Sequence, residues 1–245
     1  AKLTSYISEI PKYPQSIAIS EKTYWCDTND QINETAINTQ SIVIANKDKI
    51  IISYNASAEA NQIKYSQDIK KIGNIKIPTK LKEDFYKFYD NAQYYSTKDN
   101  SIEPQSLGVI LEDCLKDYPK ARIYLSGDKF GGVMASMTYL HLTSYPELYN
   151  IKTDQVSLYT YGELPWCHED SIDKAERLFQ SYYRVLMSND ATPVPQYVSF
   201  DEAVYLKAGH LLTDVEFKAL KTQPDKKQPN NSIKNYINEF TRQDN

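Results

Sequence analysis

Three of the seven glycines fall within six residues, at Gly127, Gly131 and Gly132. They frame the segment Gly127-Asp128-Lys129-Phe130-Gly131, which has the G-x-S-x-G spacing of a nucleophile elbow. Such a turn holds its central residue on a strained backbone at the tip of a strand. The residues two positions to either side must be small, because strand and helix nearly touch there. The strand pattern Ala121-Arg-Ile-Tyr-Leu-Ser126 precedes the turn, and an apolar helical stretch over 132–144 follows it. Both glycines of the elbow are present, but Lys129 stands where a serine nucleophile would be. A hydroxyl that attacks an ester gives an ester that water can resolve. An amine gives an amide, which hydrolyses far more slowly, so a lysine there acylates itself and stops.

Other reactive side chains are few. The chain has three His and three Cys. Ser57, Ser126 and Ser136 are the candidates for a displaced nucleophile, with His210 as its base. Ser126 is expected inside the strand end and Ser136 on the buried helix, which weighs against both. For His141, His168 and His210 a packed or solvated ring is the simpler reading, and packing is the expectation for His141 on the helix after the elbow. Cys167 and His168 are adjacent, and neighbours in an extended chain point to opposite sides, so they do not form a dyad. Three Cys allow at most one disulfide among Cys26, Cys114 and Cys167. No metal or cofactor is expected. The loop lacks the G-x-x-x-x-G-K-[ST] spacing of a phosphate cradle, and Lys129 precedes the closing glycines rather than following them.

The elements that must position this turn can be read from periodicity. A helix is expected over roughly 15–25. Ser41–Ala45 and Lys49–Tyr54 are β-branched runs separated by Asn46-Lys-Asp48, which reads as a hairpin. Residues 58–72 are mixed and polar. Leu81, Phe85, Phe88 and Tyr89 share a helical face over 81–93. A second helix over 104–118 carries Leu107, Ile110, Leu111, Cys114 and Leu115 on one side, with Pro119 just beyond it. Strands are expected at 156–161 and 182–187, with a helix near 169–181 between them. A polar loop at 221–230 leads to an amphipathic helix bearing Ile233, Tyr236, Ile237 and Phe240. Strands alternating with helices give an α/β fold, a mostly parallel central sheet with helices on both faces. No repeat or linker divides the 245 residues, so a single domain over 1–245 is expected.

Composition excludes several classes of function. With 28 Lys+Arg against 32 Asp+Glu the net charge is −4, which argues against a general nucleic-acid binder. No apolar run reaches the length of a membrane-spanning helix. Apolar residues at 41% and charged residues at 24% are ordinary for a chain with a packed core. Tyr is abundant at 21, which suits contact surfaces. Sequons at Asn33, Asn55 and Asn230 give only slight support to secretion, since such triplets are common by chance in an Asn-rich chain.

Four segments in order give the chain a resemblance to the class 3, fungal-type triacylglycerol lipases, a family of α/β-hydrolases. Lys49-Ile-Ile-Ile-Ser-Tyr-Asn-Ala-Ser57 is similar to the family's strand ending in F-R-G-T/S. Leu125-Ser-Gly-Asp-Lys-Phe-Gly-Gly-Val-Met-Ala-Ser136 is similar to T-G-H-S-L-G-G-A-L-A-S. Leu158-Tyr-Thr-Tyr-Gly162 is similar to the strand Y-T-F-G. Tyr183-Arg-Val-Leu-Met-Ser-Asn-Asp-Ala-Thr-Pro-Val-Pro195 is similar to Y-R-V-V-N-x-x-D-P-V-P, which carries the catalytic acid. The likeness spans about 20–240.

The resemblance assigns roles position by position. It makes Asp190 the triad acid. It makes Ser57 the hydroxyl residue of the oxyanion hole and the backbone N–H of Phe130 its second donor. It sets Asn231, within Asn230-Asn-Ser-Ile-Lys-Asn-Tyr236, at the position of the triad histidine, and Lys129 at that of the serine. Asn55 and Ala56 replace the family's Arg and Gly. It also marks Cys26, in Tyr24-Trp-Cys26, as a position where secreted members carry a cysteine. Ala58–Asp68, where the family has an apolar lid helix, is mostly polar and reads as a solvated surface segment. The implied picture is a lipase scaffold without its chemistry, secreted or lumenal, whose partner is a lipid or acyl ligand or another protein.

Overall fold

The computed structural model describes residues 21–28, 38–57, 69–97, 103–164, 166–168, 171–178, 181–186, 205–206 and 210–213. In chain order the strands are β1 (Lys22–Asp27), β2 (Asn38–Ala45), β3 (Lys49–Ser57), β4 (Ile69–Ile72), β5 (Ile75–Pro78), β6 (Tyr95–Ser96), β7 (Arg122–Asp128), β8 (Val156–Tyr161), β9 (Cys167–His168), β10 (Tyr182–Leu186), β11 (Tyr205–Leu206) and β12 (His210–Thr213). The α-helices are α1 (Thr79–Asn91), α2 (Leu107–Asp117), α3 (Lys129–Ser144) and α4 (Ile172–Leu178). Among the described residues, eight strands make the central sheet, in the order β12-β10-β8-β7-β3-β2-β1-β6. From β12 to β3 every pair is parallel, and from β3 to β6 every pair is antiparallel. The fold is therefore α/β with a mixed, mostly parallel central sheet, as expected.

Local chemistry explains the elements. In the β2–β3 hairpin the Asn46 side chain accepts from the N–H groups of Asp48 and Lys49, each at 3.0 Å, which closes the turn. Helix α1 buries Leu81, Phe85, Phe88 and Tyr89, and α2 buries Leu107, Ile110, Leu111, Cys114 and Leu115, the faces that their periodicity predicts. Helix α2 stops two residues before Pro119, where continued helix would clash. Helix α3 is buried along almost its whole length and packs on β3, β7 and β8. The Tyr54 hydroxyl of β3 and the Thr138 hydroxyl of α3 share a hydrogen bond of 2.8 Å across that interface.

Two expectations are corrected. The helix over 15–25 is not seen at its C-terminal end, where Lys22–Asp27 is β1, paired with both β2 and β6. Thr23, Tyr24, Trp25 and Cys26 are all buried in that strand, so a place between two partner strands overrides local propensity. The polar stretch ending at 72 turns into a second hairpin, β4–β5, turning at Gly73 with φ 54. Of the helix expected over 169–181, the described residues contain Ile172–Leu178. The C-terminal amphipathic helix and Ala58–Asp68 lie outside the described residues.

Cys26 and Cys114 are both buried, and no disulfide joins them. His141 is packed, as expected on α3. Its Nδ1 lies 3.2 Å from the Tyr86 hydroxyl and its Nε2 lies 2.9 Å from the Tyr149 hydroxyl. Burial pushes its pKa down to about 4, so the ring is neutral at pH 7 and pins α1 to α3. Among the described residues no helix is long and apolar enough to cross a membrane.

Candidate functional site

Strand β7 passes into α3 without a loop, and Lys129 is the hinge residue. Its φ is 48°, in the left-handed region that a lysine rarely occupies, while Asp128 before it is extended at φ −112°. The space around this hinge explains the flanking glycines. A Cβ at Gly127 would lie 2.1 Å from the Gly131 carbonyl oxygen, and a Cβ at Gly131 would lie 2.6 Å from the Tyr54 carbonyl oxygen. Strand, hinge and helix touch through bare backbone, as an elbow requires. The pairing of β3 with β7 runs to Asn55 opposite Asp128 and continues through a bridge between Ala56 and Lys129. Ser57 directly follows that bridged residue, so the backbone of the expected oxyanion position reaches the elbow. Phe130 is buried in the first turn of α3.

The remaining expected site residues divide as follows. Asp190 and Asn231 lie outside the described residues. His210 starts β12, beside Tyr183 of β10. The side chains of Ser57 and His210 also lie outside the description. Ser126 sits inside β7, as expected, and its hydroxyl donates to Ser53 Oγ at 2.8 Å. Ser136 is fully buried on α3, where its hydroxyl donates to Glu163 and lies 3.4 Å from the Tyr182 hydroxyl. The ring of His141, the one histidine ring described, has tyrosine hydroxyls on both nitrogens.

Sequence reasoning missed Glu163. The turn after β8 reverses at Gly162, with φ 56°, and sends the Glu163 carboxylate back under the elbow. It is fully buried there and takes hydrogen bonds from Ser136, Tyr182 and Thr160, the last at 3.0 Å. Arg184 of β10, itself 4% exposed, holds its Nε 3.7 Å from the same carboxylate. Burial pulls the Arg184 guanidinium below its ordinary value, against the opposing pull of Tyr182 and Glu163. A Cβ at Gly132 would lie 3.0 Å from Glu163 Cβ, so this cluster is the floor on which the start of α3 rests. The available signal was an arginine inside the apolar strand Tyr182–Leu186, because a charge there needs a buried partner.

Asp128 is the other titratable group at the hinge. Burial raises its carboxyl to about 6, opposed in part by Lys129. A folded value above the unfolded one means that the folded chain holds a proton which the unfolded chain has released. Asp128 therefore withdraws stability as pH rises from about 4 to about 6. Asp128→Asn is expected to raise the urea midpoint at pH 8 and to leave it nearly unchanged at pH 4. An equal gain at both pH values would show that ionisation is not the cause.

The family model for Lipase (class 3) matches residues 52–201. That is more than half of the chain. The chain belongs to the class 3 lipase family. Solved structures of fungal lipases share its fold. A Rhizomucor miehei triacylglyceride lipase superposes with a TM-score of 0.61 at 14% identity, over 89% of this chain and 78% of that one. The Rhizomucor miehei lipase propeptide complex gives a TM-score of 0.56 at 16% identity, over 74% and 53%. A Rhizopus microsporus lipase gives 0.52 at 13%, over 72% and 56%. The chain thus spans about half the length of the latter two. No curated protein matches it significantly. Among the described residues of this family member, no group of His, Cys, Asp and Glu could hold a metal ion.

Proposed function

We propose that this member of the class 3 lipase family is a pseudoenzyme that keeps the lipase scaffold as a binding or structural module. The observation that carries this reading is the residue at the elbow. The hinge keeps its strained backbone and its crowded glycines, yet it presents an amine in place of a hydroxyl. In this reading Lys129, Asp190 and Asn231 occupy the three triad positions, and Ser57 and the Phe130 N–H occupy those of the oxyanion hole. With serine and histidine both replaced, ester turnover falls by on the order of 10⁴–10⁶. The ligand is a lipid or acyl group, or the scaffold serves a protein partner, in a secreted or lumenal setting.

The rival reading is an active hydrolase with Ser57, Ser126 or Ser136 as nucleophile and His210 as base. Ser136 does not suit it, because its hydroxyl is fully buried and engaged by Glu163. Intact-mass analysis after exposure to a fluorophosphonate decides between them. The pseudoenzyme is expected to take no adduct while an active fungal lipase beside it is labelled fully. A single stoichiometric adduct on a serine overturns the proposal, and peptide mapping then names the nucleophile.

A further inference from the structure

Among the described residues, no ion pair or hydrogen bond holds the amine at the elbow tip, although its charge favours ionisation of the neighbouring Asp128 carboxyl. Among the described residues, several other lysines are engaged. Lys22 pairs with Asp117 at 2.7 Å, Lys70 with Glu83 at 3.4 Å and Lys80 with Asp84, and Lys82 donates to the Lys71 carbonyl at 2.7 Å. Lys129 has no ion pair or hydrogen bond of its side chain among them, and it is half-buried at the tip of a backbone held at φ 48°. Its backbone bridges to Ala56, so the end of β3 lies alongside. The next residue, Phe130, lies in the first turn of α3, where backbone N–H groups have no acceptor within the helix.

We propose that Lys129 is a stoichiometric acyl acceptor, which takes one acyl group onto Nζ from an activated ester or thioester and keeps it. The proposal rests on the pseudoenzyme reading. The ammonium first loses a proton to solvent. The nitrogen lone pair then attacks the carbonyl carbon, a C–N bond forms, and the carbonyl π electrons move onto oxygen beside the Phe130 N–H, which stabilises that charge. As the tetrahedral intermediate collapses, the bond from carbon to the leaving oxygen or sulfur breaks. The leaving group departs with the second amine proton as alcohol or thiol. The product is an amide. An amide hydrolyses far more slowly than an ester, because its amine is a poor leaving group. The acyl group therefore stays.

The test uses the full chain with p-nitrophenyl octanoate at about pH 9, where a lysine amine is partly deprotonated. Nitrophenol release is followed, together with intact mass and peptide mapping. The expected result is a burst of one equivalent without steady turnover and one octanoyl group on Lys129. The labelling rate at Lys129 is expected to exceed that at the exposed Lys47 by about a thousandfold, and the burst is absent in Lys129→Arg. Absence of a burst, labelling spread evenly over surface lysines, or a burst that persists in Lys129→Arg overturns this proposal and leaves the pseudoenzyme reading in place. Sustained turnover overturns the pseudoenzyme reading, and this proposal with it.

Discussion

Replacing Glu163 with alanine is expected to destabilise the protein by about 3–5 kcal/mol. Ser136, Thr160 and Tyr182 would lose a shared acceptor at a fully buried site. Arg184 would be left as a buried cation without its counter-charge. The cost of that unpaired charge dominates, because the three hydroxyls can turn toward one another and the guanidinium cannot be neutralised. A mutant cycle separates the terms. Arg184→Met in the Glu163→Ala background is expected to recover part of the loss, since it removes the charge along with its missing partner. Urea unfolding of the four proteins measures this. Strict additivity would show that the two side chains do not act as a pair.

Gly127→Ala is the second large effect expected. The added Cβ would meet the Gly131 carbonyl oxygen at 2.1 Å and the Gly132 nitrogen at 2.6 Å, both of them backbone atoms. No side chain can rotate away to relieve this, so strand and helix must separate. A loss of about 3 kcal/mol or more follows, at the upper end of overpacking effects. Gly108→Ala is the matched control. Its Cβ would meet the edge of the Tyr89 ring at 3.2 Å, and a ring can shift. Its effect is expected to stay within about 1 kcal/mol, partly offset by the better helix propensity of alanine. Thermal unfolding of both variants gives the comparison. A Gly127→Ala protein as stable as its parent would mean that the elbow is not crowded.

Much of this architecture was legible from residue types alone. The β2–β3 hairpin, α1, α2, β7, α3 and β8 follow from period-2 and period-3.6 patterns that local chemistry imposes. The elbow was legible because its glycines are scarce elsewhere and their spacing is dictated by contact between backbones. Lys129 was visible as the departure, since one substituted atom type changes what the turn can do.

Other features needed the tertiary structure. Lys22–Asp27 is a strand because it lies between β2 and β6, and those partners come from distant sequence. Glu163 and Arg184 stand 21 positions apart in the sequence, and only the parallel pairing of β8 with β10 sets them face to face. The strain at Lys129 is likewise a product of the assembly. A free lysine would not choose φ 48°, and it does so here because β3, β7 and α3 converge on bare backbone and leave the hinge no other conformation.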